Sequence, residues 1–172
     1  MTAPDRRVAY DEALDRRNAA VHEGGHIIAA RYARRDDLPF GKIWRDLDPP
    51  AEWVGHSLIM AKTLSLRDQR LIGVAGAVAE IIWEGRGAPV LDNIHERLSD
   101  SDRELINSAG DIIMKFDLNT SPHHEVRAWR NATTRAYKLF NRHTGKLWPA
   151  LCREAHRLIV ASRVDAIMAE LE

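Results

Sequence analysis

Apolar and polar residues recur along most of this chain with the three-to-four spacing of helices. Residues 10–35 have the composition and periodicity of one long helix, interrupted only by a glycine pair at positions 24 and 25. Ser65 is predicted to cap a second helix, rich in small apolar residues, that continues to about residue 83. Later helices are predicted over residues 99–116, 122–141 and 146–171. The pattern therefore predicts a mainly α-helical protein.

A different pattern separates the first two predicted helices. Residues 42–47 and 53–60 have strand character, and residues 48–52, which include two prolines, form a predicted loop between them. We therefore expect a small β-hairpin. The length of 172 residues, of which 45% are apolar, suits a single domain. Within it, residues 1–120 are expected to form the core with the hairpin, and residues 121–172 to add C-terminal helices.

The charge balance excludes some classes of function. The chain has 25 Lys and Arg against 25 Asp and Glu, and therefore lacks the basic excess typical of nucleic-acid-binding proteins.

No apolar run approaches the roughly 20 residues that span a bilayer, and residues 1–7 lack the apolar stretch of a secretory signal. Cys152 is the single cysteine, so no intrachain disulfide can form. We expect a soluble cytoplasmic protein without a nucleic-acid or membrane partner.

The strongest chemical signal is the sequence His-Glu-Gly-Gly-His at residues 22–26, inside the first predicted helix. Residues four apart share one helical face, so His22 and His26 can bind one zinc ion. Glu23 is rotated by about 100° from His22, which suits a general base beside the open position of the metal. Each glycine in the middle of a helix lowers the stability of the helix by about 1 kcal/mol relative to alanine. Residues that break a local rule in this way are commoner at functional sites than elsewhere. The alternative is a pair of structural histidines.

A catalytic zinc site needs a third protein ligand and one open position. Residue type allows several candidates, and the sequence pattern alone does not choose among them. The candidates are His56, His95, Asp100, Asp102, His123 and His124.

Four segments together resemble the peptidase domain of the FtsH family of ATP-dependent zinc proteases, over most of the chain. Residues 22–26 are similar to the family's His-Glu-Ala-Gly-His, and the hairpin with Gly-His-Ser at residues 55–57 is similar to its segment ending in Gly-Tyr-Thr. Residues 75–80, Ala-Gly-Ala-Val-Ala-Glu, resemble its Ala-Gly-Arg-Ala-Ala-Glu, although the arginine is absent here. Residues 99–102 resemble the place where the family's third ligand, an aspartate, opens a helix. The order and spacing of the four segments agree.

The resemblance implies that Asp102 is the third ligand. Asp100 is the alternative, since the Ser-Asp-Ser-Asp repeat allows a slip of two residues. A helix-capping carboxylate is a further interpretation of Asp102. Glu80 lies in a run otherwise composed for burial, and a buried glutamate needs a partner. Our hypothesis is that Glu80 supports the site by hydrogen bonding to a ligand histidine or to nearby backbone; the alternative is an exposed position.

The implied activity is zinc-dependent hydrolysis of peptide bonds by a helical zinc-peptidase domain. Residues 53–60 are a candidate edge strand for binding an extended substrate, with a merely covering hairpin as the alternative. No phosphate-binding loop precedes the histidine motif, so we expect activity independent of ATP. The expected partners are an unfolded protein or peptide substrate, a separate unfoldase and, because the family forms rings, further copies of this chain.

Three alternatives to a general protease remain open. One is a catalytically inactive metal-binding module, against which the intact Glu23 speaks. Another is a regulatory protease with a single protein substrate. The third is a structural zinc protein, in which four protein ligands would close the site and His56 would be the fourth ligand to test.

Overall fold

Four helices and one two-stranded sheet make up the part of the chain that the computed structural model describes. That part comprises residues 6–34, 39–47, 52–59, 64–89, 93–94, 97–98 and 123–169, with side chains described between residues 11 and 165. The elements are α1 (Arg6–Ala33), β1 (Phe40–Asp46), β2 (Glu52–Leu58), α2 (Leu66–Glu84), α3 (His123–Phe140) and α4 (Trp148–Ala169). The prediction of a mainly helical protein with a small hairpin is confirmed. The helix predicted over residues 99–116 lies outside the described residues.

Helix α1 runs without a break through the glycine pair that interrupts its sequence pattern. Gly25 faces α2, where an added Cβ atom would lie 2.6 Å from the carbonyl oxygen of Ala75. Gly24 faces α4, where an added Cβ atom would lie 3.3 Å from Leu151 Cδ1. Gly25 thus has a packing reason, because a larger residue would push the backbones of α1 and α2 apart.

Helix α2 lies at the centre of the core. Ser65 is its N-cap, as predicted, and the Ser65 hydroxyl accepts a hydrogen bond from the backbone amide of Asp68 at 3.2 Å. Gly85 ends the helix in the left-handed conformation, with φ of 72°. Every residue from 71 to 79 is buried, because α2 packs against both α1 and α3. The small residues of this segment are what allow such close neighbours.

The hairpin packs against α1 and α4. Its strands are antiparallel, with Phe40 opposite Leu58 and Ile43 opposite Gly55. Ile43 is buried, whereas Phe40 and Leu58 on the other face are 59% and 63% exposed. Both strands begin and end one or two residues earlier than the pattern predicted.

Helices α3 and α4 are connected by a turn at residues 141–147. Gly145, predicted to separate them, fits there because an added Cβ atom would collide with the backbone of Asn141. An ion pair of 2.8 Å between Arg31 and Glu154 ties α1 to α4. None of the helices in the described ranges combines the length and apolar character needed to cross a bilayer.

Candidate metal centre

His22 and His26 lie one turn apart on α1 and approach each other through their rings. Their Nε2 atoms are 3.0 Å apart. The ring centroids are 4.7 Å apart, with an angle of 67° between the ring planes. His26 is buried, and the His22 side chain is 15% exposed. The helix therefore brings together the two imidazoles that the sequence singled out, at a partly accessible point.

The outer nitrogen of each ring has an acceptor as its partner. His26 Nδ1 lies 2.7 Å from the carbonyl oxygen of Ile72, and His22 Nδ1 lies 3.2 Å from Glu80 Oε1. A carbonyl oxygen or a carboxylate can only accept, so we assign the hydrogen of each neutral ring to Nδ1. That assignment leaves a lone pair on each Nε2 atom, the form in which histidine binds metal ions.

This arrangement fits a divalent metal ion. Two lone pairs 3.0 Å apart are unfavourable unless a cation lies close to both or the two nitrogens share a proton. On a tetrahedral zinc ion with bonds of 2.0–2.1 Å, two ligand nitrogens are about 3.3 Å apart, close to the separation here. In the part of the chain that the structure describes, no group of three or more His, Cys, Asp or Glu forms a metal-binding cluster.

Gly76 of α2 brings helix backbone directly against the two rings. An added Cβ atom at Gly76 would lie 2.5 Å from His26 Nε2 and 2.7 Å from His22 Nε2. Any side chain at this position would thus occupy the space next to both Nε2 atoms. Together with the Ile72 carbonyl, Gly76 makes the backbone of α2 one wall of the candidate site.

Glu23 is held between α1 and strand β2. The residue is 8% exposed, and the Ser57 hydroxyl donates a short hydrogen bond to Glu23 Oε2. Gly55 leaves room for the carboxylate, since an added Cβ atom would lie 2.8 Å from Glu23 Oε1. The hairpin thus fixes the side chain that the sequence suggested as the general base.

Glu80 connects the histidine pair to the chain after α2. One oxygen contacts His22, and the other accepts a hydrogen bond from Arg97 Nη1 at 3.1 Å. Arg97 Nη2 also donates to Glu84 Oε2 at 2.8 Å. Burial lowers the pKa of Arg97, but Glu84 and Glu80 outweigh that effect and raise the pKa overall. The contact expected between Glu80 and a histidine is present; its importance for metal binding stays a prediction.

The remaining candidate ligands are not brought to the histidine pair in the described ranges. His56 is exposed and lies on the face of β2 opposite to that of Ser57. His123 and His124 are exposed at the start of α3. Three candidates lie outside the described residues: His95, Asp100 and Asp102. The choice of Asp102 stays a prediction from the resemblance.

The sequence interpretation missed three contributors to this arrangement. They are the Ile72 carbonyl, the Ser57 hydroxyl and the Arg97 guanidinium. Ser57 had a weak signal, since it belongs to the Gly-His-Ser segment of the resemblance. Ile72 and Arg97 had none in their residue types. Compared with models of known protein families and with curated proteins, the chain matches none.

Proposed function

We propose that this chain is a zinc-dependent metallopeptidase with the fold of the FtsH peptidase domain. The observation that supports this most is that the Nε2 atoms of His22 and His26 lie 3.0 Å apart. The partners Ile72 and Glu80 determine the tautomers of the two rings. The buried carboxylate of Glu23 beside this pair adds the base that peptide hydrolysis requires. The four-segment resemblance supports the same activity.

Three residues hold the metal in this proposal. His22 and His26 bind through Nε2, and the resemblance assigns the third position to Asp102. When bound, zinc would lower the pKa of a water molecule and polarise the scissile carbonyl. Glu80 orients His22, and the Ile72 carbonyl orients His26, in the way that partners of metal-bound histidines do.

Glu23 acts as general base and then as general acid. Its carboxylate accepts the proton of the attacking water and afterwards delivers that proton to the leaving amine, so the proton balance closes. Ser57 engages Oε2, and we therefore assign the transferred proton to Oε1. Holding the carboxylate in one orientation increases the fraction of time in which it can react.

The outer edge of β2 provides a binding strand for the substrate. The backbone amide of Trp53 donates to Asp15 Oδ2 at 2.7 Å, so the backbone groups of Trp53 point away from β1. The backbone N–H and C=O groups of successive residues point to alternate sides of an antiparallel strand. Gly55 and Ser57 therefore present these groups on the same outer edge of β2 as Trp53. An extended peptide hydrogen-bonded there would pass Glu23, with little dependence on its sequence.

Extended binding requires unfolded proteins or peptides as substrates. Folded proteins would need a separate unfoldase, because we expect this chain itself to act without ATP. The resemblance also makes a homo-oligomer an expected form of the protein. We place its activity in the cytoplasm, where the single Cys152 would stay reduced.

The test is degradation of β-casein, without nucleotide, by the zinc-loaded protein and by Glu23→Gln. The substitution keeps size and removes the base, so the rate should fall by about 100- to 10,000-fold. The zinc content of both proteins, measured by atomic emission, should be the same. A chelator should stop the parent's activity, and added zinc should restore it.

Equal cleavage by the parent and by Glu23→Gln would refute the role of Glu23. If both proteins bind zinc and neither cleaves casein, general proteolysis is wrong. The result would then favour a metal-binding module or a protease with one dedicated substrate. If neither binds zinc, the metal centre itself is refuted.

A further inference from the structure

An open groove of about 610 Å³ lies between α2, α3 and the end of α1. Tyr32 contributes from α1, Arg67 and Arg70 from the first turns of α2, and Arg135 and Lys138 from α3. We call the surface formed by these five residues the basic groove. The volume is in the range of about 300–1,000 Å³ that small-molecule sites occupy.

The basic groove concentrates positive charge in a neutral chain. Four of its five residues are cations, although the whole chain has a formal net charge of zero. Among the described residues, no carboxylate lines the groove. Asp68 lies beside the groove and forms an ion pair of 2.9 Å with Arg135. The other three cations have no ion pair within the described ranges. With Asp68 as the one carboxylate beside the groove in the described ranges, most of this charge is available to a ligand.

At one end of the groove, the groove cation Arg135 and a further cation beside it, Lys146, act on the titratable group of Tyr32. Lys146 Nζ lies 3.3 Å from the Tyr32 hydroxyl and 4.4 Å from the ring centroid, and the Arg135 guanidinium lies 5.7 Å from the same centroid. The hydrogen bond from Lys146 is the main cause of a lowered pKa of Tyr32, and the charge of Arg135 adds to it. An anion at this end would meet the same favourable potential.

The rest of the lining determines the kind of anion. Ala128, Ala132 and Leu139 add apolar surface between the cations. Guanidinium groups bind phosphate oxygens through pairs of hydrogen bonds, and four cations on two helices suit more than one negative charge. The apolar positions and the Tyr32 ring suit an organic group attached to those phosphates.

We infer that the basic groove binds a small organic ligand that carries a diphosphate or longer phosphate chain. None of the five groove residues takes part in the candidate metal centre. The groove can therefore be tested whether or not the chain is a peptidase.

The test is isothermal titration with ADP and with inorganic pyrophosphate, at low and at physiological salt. Chelator-treated and zinc-loaded protein are compared, so that phosphate binding to zinc is recognised. The variant Arg70→Gln/Lys138→Gln removes two cations from the groove. The matched control Arg130→Gln/Arg163→Gln removes the same charge from exposed positions on α3 and α4 that do not line the groove. Circular dichroism verifies that both variants fold.

We expect one saturable site for ADP, present with and without zinc. The groove variant should bind at least about 10-fold more weakly, because it loses two charge-assisted hydrogen bonds to the phosphates. The control variant should stay within about twofold, as exposed charges contribute little.

Four results would overturn the inference. The first is no saturable binding of ADP, and the second is an equal loss of affinity in both variants, which would indicate unspecific attraction. The third is binding of pyrophosphate but not of ADP, which would assign the groove to an inorganic ligand. The fourth is a poly-glutamate peptide that binds more tightly than ADP, which would assign it to an acidic protein segment.

Discussion

Helix α2 contributes to two regions that are constructed in opposite ways. Around residues 72–76 its backbone meets the two histidines directly, through the Ile72 carbonyl and the missing side chain of Gly76. Around residues 67–70 it extends two long arginine side chains into the basic groove. The first region depends on close backbone approach, so a single added methyl group should disturb it. The second depends on charge, so we expect it to respond to charge more than to small changes in volume.

The largest effect should come from filling the space above the histidine pair. Gly76→Ala places a Cβ atom 2.5 Å from His26 Nε2, and the rings must swing apart to admit it. Zinc affinity, measured by competition with a chromophoric chelator, should fall by about 100-fold, as at other sites where ligand support is lost. The matched control is Gly24→Ala, whose Cβ atom has its closest contact, 3.3 Å, with the flexible side chain of Leu151 and lies at ordinary contact distance from the Ala155 backbone. Equal zinc affinity in the parent and Gly76→Ala would contradict the proposed location of the metal.

The next effect concerns the contact between the hairpin and Glu23. Ser57→Ala removes the hydroxyl that donates to Glu23 Oε2, without touching the histidines. A hydrogen bond to a charged group contributes about 1.5–3 kcal/mol, so kcat for peptide cleavage should fall by about 10- to 100-fold. Zinc content should stay the same, and Ser57→Thr should retain most activity, because it keeps the hydroxyl. A Ser57→Ala enzyme with unchanged kcat would show that Ser57 does not position the base.

A smaller effect should appear at the other close contact between α1 and α2, at Gly25. Gly25→Ala directs a Cβ atom at the Ala75 carbonyl oxygen, and backbone cannot move aside as a side chain can. The free energy of unfolding of the metal-free protein should fall by about 1–3 kcal/mol, measured by urea denaturation. Gly24→Ala is again the control, and it should retain or raise stability, because alanine favours helix. If the two variants unfold alike, close backbone approach is not what Gly25 provides.

The smallest effect is a shift in one ionisation at the basic groove. Lys146 donates to the Tyr32 hydroxyl and lowers its pKa, so Tyr32 should ionise below pH 10 in an ultraviolet titration. Lys146→Gln should raise that pKa, and Tyr32→Phe should remove the early component. High salt should reduce the difference, because it screens the charges. A titration that is identical in the parent and Lys146→Gln would contradict the positive potential assigned to this end of the groove.

Local signals in the sequence predicted most of the fold. The Ser65 cap and the break at Gly145 each act within a few residues, and the structure has both where they were expected, as it has the two paired strands of the hairpin. The spacing of His22 and His26 likewise determines that the two rings share a face. Long-range contacts were harder to foresee, because residue type does not tell which distant element approaches.

The glycine pair illustrates this difference. Two glycines in mid-helix were interpreted together as a sign of function, yet the structure separates their surroundings. An added Cβ atom at Gly25 would lie 2.6 Å from backbone of α2, whereas at Gly24 the closest atom is a leucine side chain of α4 at 3.3 Å and the α4 backbone is no nearer than 3.5 Å. Arg97 shows the same limit of prediction from local sequence, since it donates to Glu80, which lies 17 residues earlier in the chain. Nothing in the residue type of an isolated arginine indicates such a contact.

The contact between His26 and the Ile72 carbonyl bears on how this protein can vary. Every amino acid carries that carbonyl, so exchanging the side chain at position 72 cannot delete the acceptor. Evolution can exchange the side chain at position 72 for any other that fits the core, while the backbone carbonyl that orients the imidazole of His26 is kept. Homologous chains that differ at position 72 would therefore keep the same acceptor for His26. A search for shared residue types would not detect this contact, whereas superposition of the backbones would.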